Sequence, residues 1–142
     1  MAGRGPCTLV AVKHVVDTHA FLWYLAGSPQ LGSSARSILQ DPQSELFLPA
    51  ITLAEACWIV ERGRVPLTVS DILAAIDNDP RITVLPLDRS VIERSNTLTA
   101  VGEMHDRQIV ATALMMQSQG ETVDLLTKDG NITASGLVPT VW

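Results

Sequence analysis

The sequence predicts an α/β sandwich built on a mainly parallel sheet with right-handed crossovers. Three observations carry that expectation. Short runs of β-branched and apolar residues recur along the chain, each followed by a segment with helical periodicity. Those segments run to roughly 8 to 15 residues, the length of a crossover and too long for a hairpin turn. No repeat, low-complexity stretch or linker interrupts the alternation.

Taken in order, "HVVD" reads as a short buried strand ending at Asp17, followed by a helix from Thr18 to Ala26 that "GSPQLGSSA" terminates. Ser33 or Ser34 is placed to cap a second helix, "SARSILQ", which the Asp41-Pro42 turn ends. "ELFLPA" is the next strand. Thr52 then reads as an N-cap with Glu55 three residues on, the spacing of a capping box, for a helix "LAEACWIVERG" stopped by Gly63. "LTVSDILAAIDND" is an amphipathic helix closed by Pro80, "ITVLPLD" a strand, and "RSVIERSNTL" a short helix. From His105 to Gln119 the chain sets Ile109, Ala113 and Met116 on one helical face and stops at Gly120. "TVDLL" is a strand that leaves through the turn "TKDG", and "LVPTVW" suits a last edge strand, where Pro139 is easiest to place.

At 142 residues the chain has the size of one domain and buries roughly two thirds of its unfolded surface. The domain is expected over residues 14–142, with residues 1–13 as an N-terminal extension whose order the sequence leaves open. Apolar residues at 46% and charged ones at 18% describe a globular chain and exclude a disordered acidic one. A net charge of −5 argues against a protein that coats nucleic-acid duplexes, but not against a nuclease, because a local patch or a metal ion can supply positive charge. Cys7 and Cys57 form neither a disulfide framework nor a metal pattern, which suits a reducing compartment, and a cytoplasmic location is expected. No stretch approaches the ~20 apolar residues of a membrane span, so no membrane partner is expected.

Ligands of parallel α/β sheets bind at the carboxyl ends of the strands, and acidic residues gather there. Asp17 ends the first strand, Glu55 follows the second, Glu103 and Asp106 stand at the entry to the long helix, and Asp129 follows "DLLT". Oxygen donors brought to one rim suit Mg²⁺ or Mn²⁺, and without a cation they repel one another. Such an ion activates water and stabilises charge on a phosphodiester, so hydrolysis needs no side-chain nucleophile. Thr127 can hold a ligand or a water by its hydroxyl, and Arg107 can pair with a carboxylate or contact a phosphate. His19, two residues from Asp17, does not share its helical face and is better placed to support a ligand than to bind the ion. Each acidic residue also has a local reading: Asp17 as N-cap, Glu55 in the Thr52 capping box, Glu103 and Asp106 against a helix dipole, Asp129 in a turn. His105 reads as a helix-start residue or a substrate contact. Trp23, Trp58 and Trp142 read as core or interface anchors, since no aromatic interleaves with a basic run.

Four segments together resemble the PIN-domain ribonucleases of type II toxin-antitoxin pairs, the VapC-like group. "VVDTHAFLWYLAG" is similar to that family's opening strand and helix, "ITLAEACWIVERGRVPL" to its second acidic segment, "VGEMHDRQIVATAL" to its "H.DPFDR" segment, and "VDLLTKDGNI" to its last. The likeness spans about residues 14 to 142. It implies a PIN-like three-layer α/β/α sandwich and Mg²⁺- or Mn²⁺-dependent cleavage of RNA. It also implies a homodimer and a small cognate antitoxin that can enter an acidic groove. Catalytic positions fall on Asp17, Glu55, Asp106 and Asp129, metal-ligating ones on these and Glu103, and supporting ones on Thr127, Arg107 and His19. The departure from the family pattern is "GEMHDR": Glu103 stands for Asp, Met104 for Pro, and the leading His has no counterpart. Housekeeping RNA processing, and a non-catalytic module whose acidic groove binds a basic peptide, remain open beside the toxin reading.

Overall fold

The computed structural model describes residues 11–142. Residues 1–10, most of the expected N-terminal extension, lie outside the described residues, and Val12 and Lys13 already belong to the first strand. The elements are β1 (Val12–Val16), α1 (Thr18–Ala26), α2 (Ser33–Gln40), β2 (Glu45–Pro49), α3 (Ala50–Glu61) and α4 (Val69–Asp77). They continue as β3 (Ile82–Leu85), α5 (Arg89–Ser95), α6 (Met104–Ser118), β4 (Thr122–Leu126), α7 (Gly130–Ser135) and β5 (Thr140–Val141).

The five strands form one sheet in the order β3-β2-β1-β4-β5, and every neighbouring pair is parallel. Two directions of travel follow from that order. The chain first moves outward from β1 through β2 to β3, then returns across the sheet to β4 and continues to β5. A right-handed crossover puts opposite directions of travel on opposite faces, and the helices divide accordingly. On one face, Ala20, Phe21, Leu39, Ala56 and Ile72 pack with Val16, Leu46, Leu48 and Leu126. On the other, Val91, Ile109, Val110, Ala113 and Ile132 pack with Val15, Val123 and Leu125. The result is a three-layer α/β/α sandwich whose α6 is buried on nearly all sides, which is why its apolar residues are not confined to the one face that Ile109, Ala113 and Met116 mark.

Three local expectations are corrected by tertiary context. Helix α3 starts at Ala50 with Pro49 as its cap residue and no side-chain cap. Pairing of β2 with β3 runs to Pro49 opposite Leu85, so the strand hands the chain directly to the helix, and Thr52 lies inside it, fully buried with its Oγ1 unpaired among the described residues. The Thr52–Glu55 capping box therefore does not form, and Glu55 stands free of that local role. Helix α2 is capped by Gly32 without a side-chain bond; Ser33 and Ser34 are its first residues, and the amides of Ser34 and Ala35 donate to the Trp142 carbonyl instead. The turn "TKDG" runs on into α7, a six-residue helix capped by Asp129 Oδ1 on the Ile132 amide and closed by Gly136 at φ 65°. Its brevity and single buried residue, Ile132, leave no helical period to read.

Candidate active site

The sheet order reverses between β1 and β4, and the crevice at the carboxyl ends of those two strands is the topological switch point. Asp17 leaves β1 there and Asp129 leaves β4 just beyond Thr127. They are linked: Thr127 Oγ1 donates to Asp17 Oδ2 at 2.6 Å and accepts from the Asp129 amide at 3.1 Å. Thr127 is only 2% exposed, and its hydroxyl aligns the two aspartates from within. The other oxygen of Asp17, Oδ1, accepts from the Thr18 amide at 2.7 Å. Asp17 is thus both the N-cap of α1 and a member of the rim.

From the other side, α3 and α6 supply Glu55 and Asp106. Glu55 lies in the second turn of α3; its Oε1 accepts from Thr18 Oγ1 at 2.7 Å and its Oε2 faces His105 Nδ1 at 2.9 Å. Glu103 caps α6 through Oε2 on the Asp106 amide at 2.9 Å, and its other oxygen lies 3.3 Å from the same His105 nitrogen. His105 therefore bridges two carboxylates, a role its sequence neighbours do not announce. Arg107 spends its Nε on the Val101 carbonyl and braces the loop before α6; among the described residues it pairs with no carboxylate, contrary to one sequence expectation. His19, exposed on α1, lies at the cavity beside Trp23, ring centroids 5.2 Å apart.

These residues enclose a cavity of about 360 Å³ lined by Asp17, His19, Glu55, Asp106, Lys128 and Asp129, with Trp23 and Trp142 in edge contact as an apolar wall. Lys128 sits over the Trp23 ring at 5.0 Å. Glu103 does not line the cavity; it holds the amide of Asp106, which does. Burial raises the Asp17 carboxyl above its usual range against the hydrogen bonds from Thr127 and Thr18. Asp106 is pushed up to about 7, first by burial and then by the charges of Asp129, Asp17, Glu103 and Glu55. Its side chain accepts no hydrogen bond among the described residues, whereas each of its acidic neighbours is held by one. Among the described residues no three His, Cys, Asp or Glu side chains converge closely enough to make a ready-formed metal cage; the carboxylates surround the space without closing on it.

A family profile described as PIN domain matches residues 14–134. No curated protein matches the chain in sequence. Among solved structures, a toxin–antitoxin complex from Klebsiella pneumoniae is similar at a TM-score of 0.68 and 17% identity, over 92% of this chain and 97% of that one. FitAcB from Neisseria gonorrhoeae is similar at 0.61 and 17%, over 91% and 96%. VapC20 from Mycobacterium tuberculosis, a toxin that cleaves the sarcin–ricin loop, is similar at 0.60 and 18%, over 89% and 97%. Identities this low speak to the fold.

Proposed function

The chain belongs to the PIN-domain family, and from that premise we propose that it is a Mg²⁺- or Mn²⁺-dependent endoribonuclease, the toxin of a toxin–antitoxin pair. The observation that carries the reading is the convergence of Asp17, Glu55, Asp106 and Asp129, delivered by four separate segments, on one cavity at the switch point of the sheet. Burial and mutual repulsion hold Asp106 near 7, a cost that makes sense where a cation is to be received. The donor set fits such an ion by type, being all oxygen with room for water. Asp17, Asp106 and Asp129 would hold it, with Glu55 opposite and Glu103 on the Asp106 amide; once bound, it supplies an activated water and neutralises charge on the scissile phosphate.

The chain's own residues do the remaining work. Thr127 fixes the Asp17 carboxylate and the backbone that carries Asp129. Thr18 and His105 hold both oxygens of Glu55, so its carboxylate is oriented before substrate arrives. Lys128, at the mouth against Trp23, offers an ammonium to a neighbouring phosphate. A small antitoxin belongs to the same reading, supported by the likeness to a chain of a toxin–antitoxin complex, and a homodimer and a cytoplasmic location are proposed with it; no helix of the described residues is long and apolar enough to cross a membrane.

The test compares the purified protein with Asp106→Asn on total RNA in Mg²⁺, in Mn²⁺ and with EDTA. Discrete cuts by the unaltered chain alone, abolished by EDTA, are expected. Equal cutting by both sinks the site assignment, and silence from a folded, partner-free chain favours a non-catalytic groove for a basic peptide, the reading that the absence of a ready-formed cage among the described residues would then explain.

A further inference from the structure

A second cavity, of about 450 Å³, adjoins the acidic one; His19, Glu55 and Ile59 line both. Trp58 and Arg64 line the second alone, together with His105. The sequence expectation for Trp58 was a core or interface anchor, yet its side chain is 48% exposed. The guanidinium of Arg62 lies over the indole at 3.3 Å from its centroid, and that of Arg64 at 5.7 Å. Local geometry builds the arrangement. Trp58 is three residues beyond Glu55 and Arg62 four beyond Trp58, so acid, indole and guanidinium follow one another along a single stripe of α3, neighbours about 5–6 Å apart at Cβ. Arg62 ends the helix with Nη1 on the Trp58 carbonyl at 3.0 Å, and Gly63, at φ 67, turns the chain so that Arg64 comes back to the ring. Neither arginine pairs with a carboxylate among the described residues, whereas Lys13, Arg81 and Arg89 do.

We propose that Trp58, Arg62 and Arg64 form a subsite for single-stranded RNA beside the cleavage site: a base packs on the indole–guanidinium stack and the adjoining phosphate pairs with Arg64. The choice of RNA rests on the nuclease reading above. Unpaired bases are recognised by stacking on aromatic rings and guanidinium planes, and the alternation of flat apolar base with anionic phosphate matches an indole flanked by two cations. An acidic peptide would satisfy the arginines but meet four carboxylates next door, and a second copy of this chain brings the same net −5. RNA whose phosphate lies at the cation-filled cavity satisfies both regions at once.

The experiment measures the affinity of a fluorescein-labelled, mixed-sequence single-stranded oligoribonucleotide for the full chain carrying Asp106→Asn, which prevents cutting and removes one of the carboxylates that repel RNA. Trp58→Ala and Arg64→Ala are added singly, both at exposed side chains, with folding checked by circular dichroism. Trp58→Ala is expected to weaken binding roughly tenfold. Arg64→Ala should weaken it less and lower the slope of log affinity against log salt by about 0.7, the signature of one lost phosphate contact on a single strand. Unchanged affinity and slope in both variants overturn the subsite, whatever the unaltered chain does to total RNA. A shift of sedimentation from dimer to monomer in Trp58→Ala, with RNA affinity intact, also overturns it and makes Trp58 an interface between copies. Trp58-dependent binding by a chain that fails to cut would keep the RNA surface and discard the nuclease reading, so the two fail separately.

Discussion

Asp106 is held above the usual carboxylate range by burial and by the acidic groups around it, and the consequence runs through pH. Its folded carboxyl titrates near 7 against a reference of 3.8, so between those values the folded chain binds more protons than the unfolded one and loses stability as pH rises. Asp17 is shifted in the same direction by burial. In cation-free buffer, Asp106→Asn is therefore expected to raise the melting temperature, with an advantage near zero at pH 4 that grows to a plateau above 7, while removing cleavage; thermal scans across that range check it, and a pH-independent difference would contradict the assignment. Thr127 makes the opposite case. Its buried hydroxyl serves Asp17 and the Asp129 amide together, so Thr127→Val should cost about 1–3 kcal/mol and most of the activity, and Thr127→Ser should restore both, as denaturant titration and RNA cleavage would read. The sequence singled out Asp106 at the entry to the long helix and Thr127 just after a strand. It could not tell that Thr127 faces inward to an aspartate 110 positions away, because that hydrogen bond exists only once β1 and β4 are paired.

Helices and strands show where local chemistry governs and where it is overruled. Asp17, Thr68, Asp88, Glu103 and Asp129 each cap the helix that follows with a side-chain oxygen, so Asp17 caps as its local reading has it, and Glu103 and Asp129, read against a helix dipole and in a turn, are caps as well. A carboxylate whose one oxygen holds a helix amide still presents the other. Glu55 differs: the helix it was expected to cap begins earlier, and its partners come from α1 and α6. At α2 the cap is borrowed from the far end of the described chain, where the Trp142 carbonyl receives two amides. A Cβ on Gly32 would lie 2.4 Å from the Trp142 carbonyl carbon and 2.6 Å from its oxygen. Gly32→Ala must push that residue away, and a loss of roughly 1–3 kcal/mol, several degrees in a thermal melt, is expected. Because Trp142 also walls the cavity, cleavage should fall alongside stability; an unchanged melt would mean that α2 and the last strand are not so joined.

Over the whole molecule, a chain of net charge −5 keeps a nest of carboxylates at one end of its sheet, so the proposed binding of RNA there calls for a cation and for the arginines placed beside Trp58. Saturating Mg²⁺ should then raise the melting temperature above pH 7, by the equivalent of about 2.7 kcal/mol at a hundredfold excess over Kd. It should do far less for Asp106→Asn, and equal shifts in the two chains would place the ion elsewhere. What the sequence determined by itself was local or periodic: the strands and most helices, the parallel α/β class implied by their alternation, and the acidic residues waiting at the strand exits. Periodicity and strand-exit position are readable because they depend on near neighbours. Tertiary structure alone decided the order β3-β2-β1-β4-β5, which sets Asp17 beside Asp129, the burial of Thr52, the bridge from Glu55 to His105, and the return of Arg64 onto Trp58. These depend on which distant apolar faces are buried together. That choice is made cooperatively by the packed core, and no window of the sequence contains it.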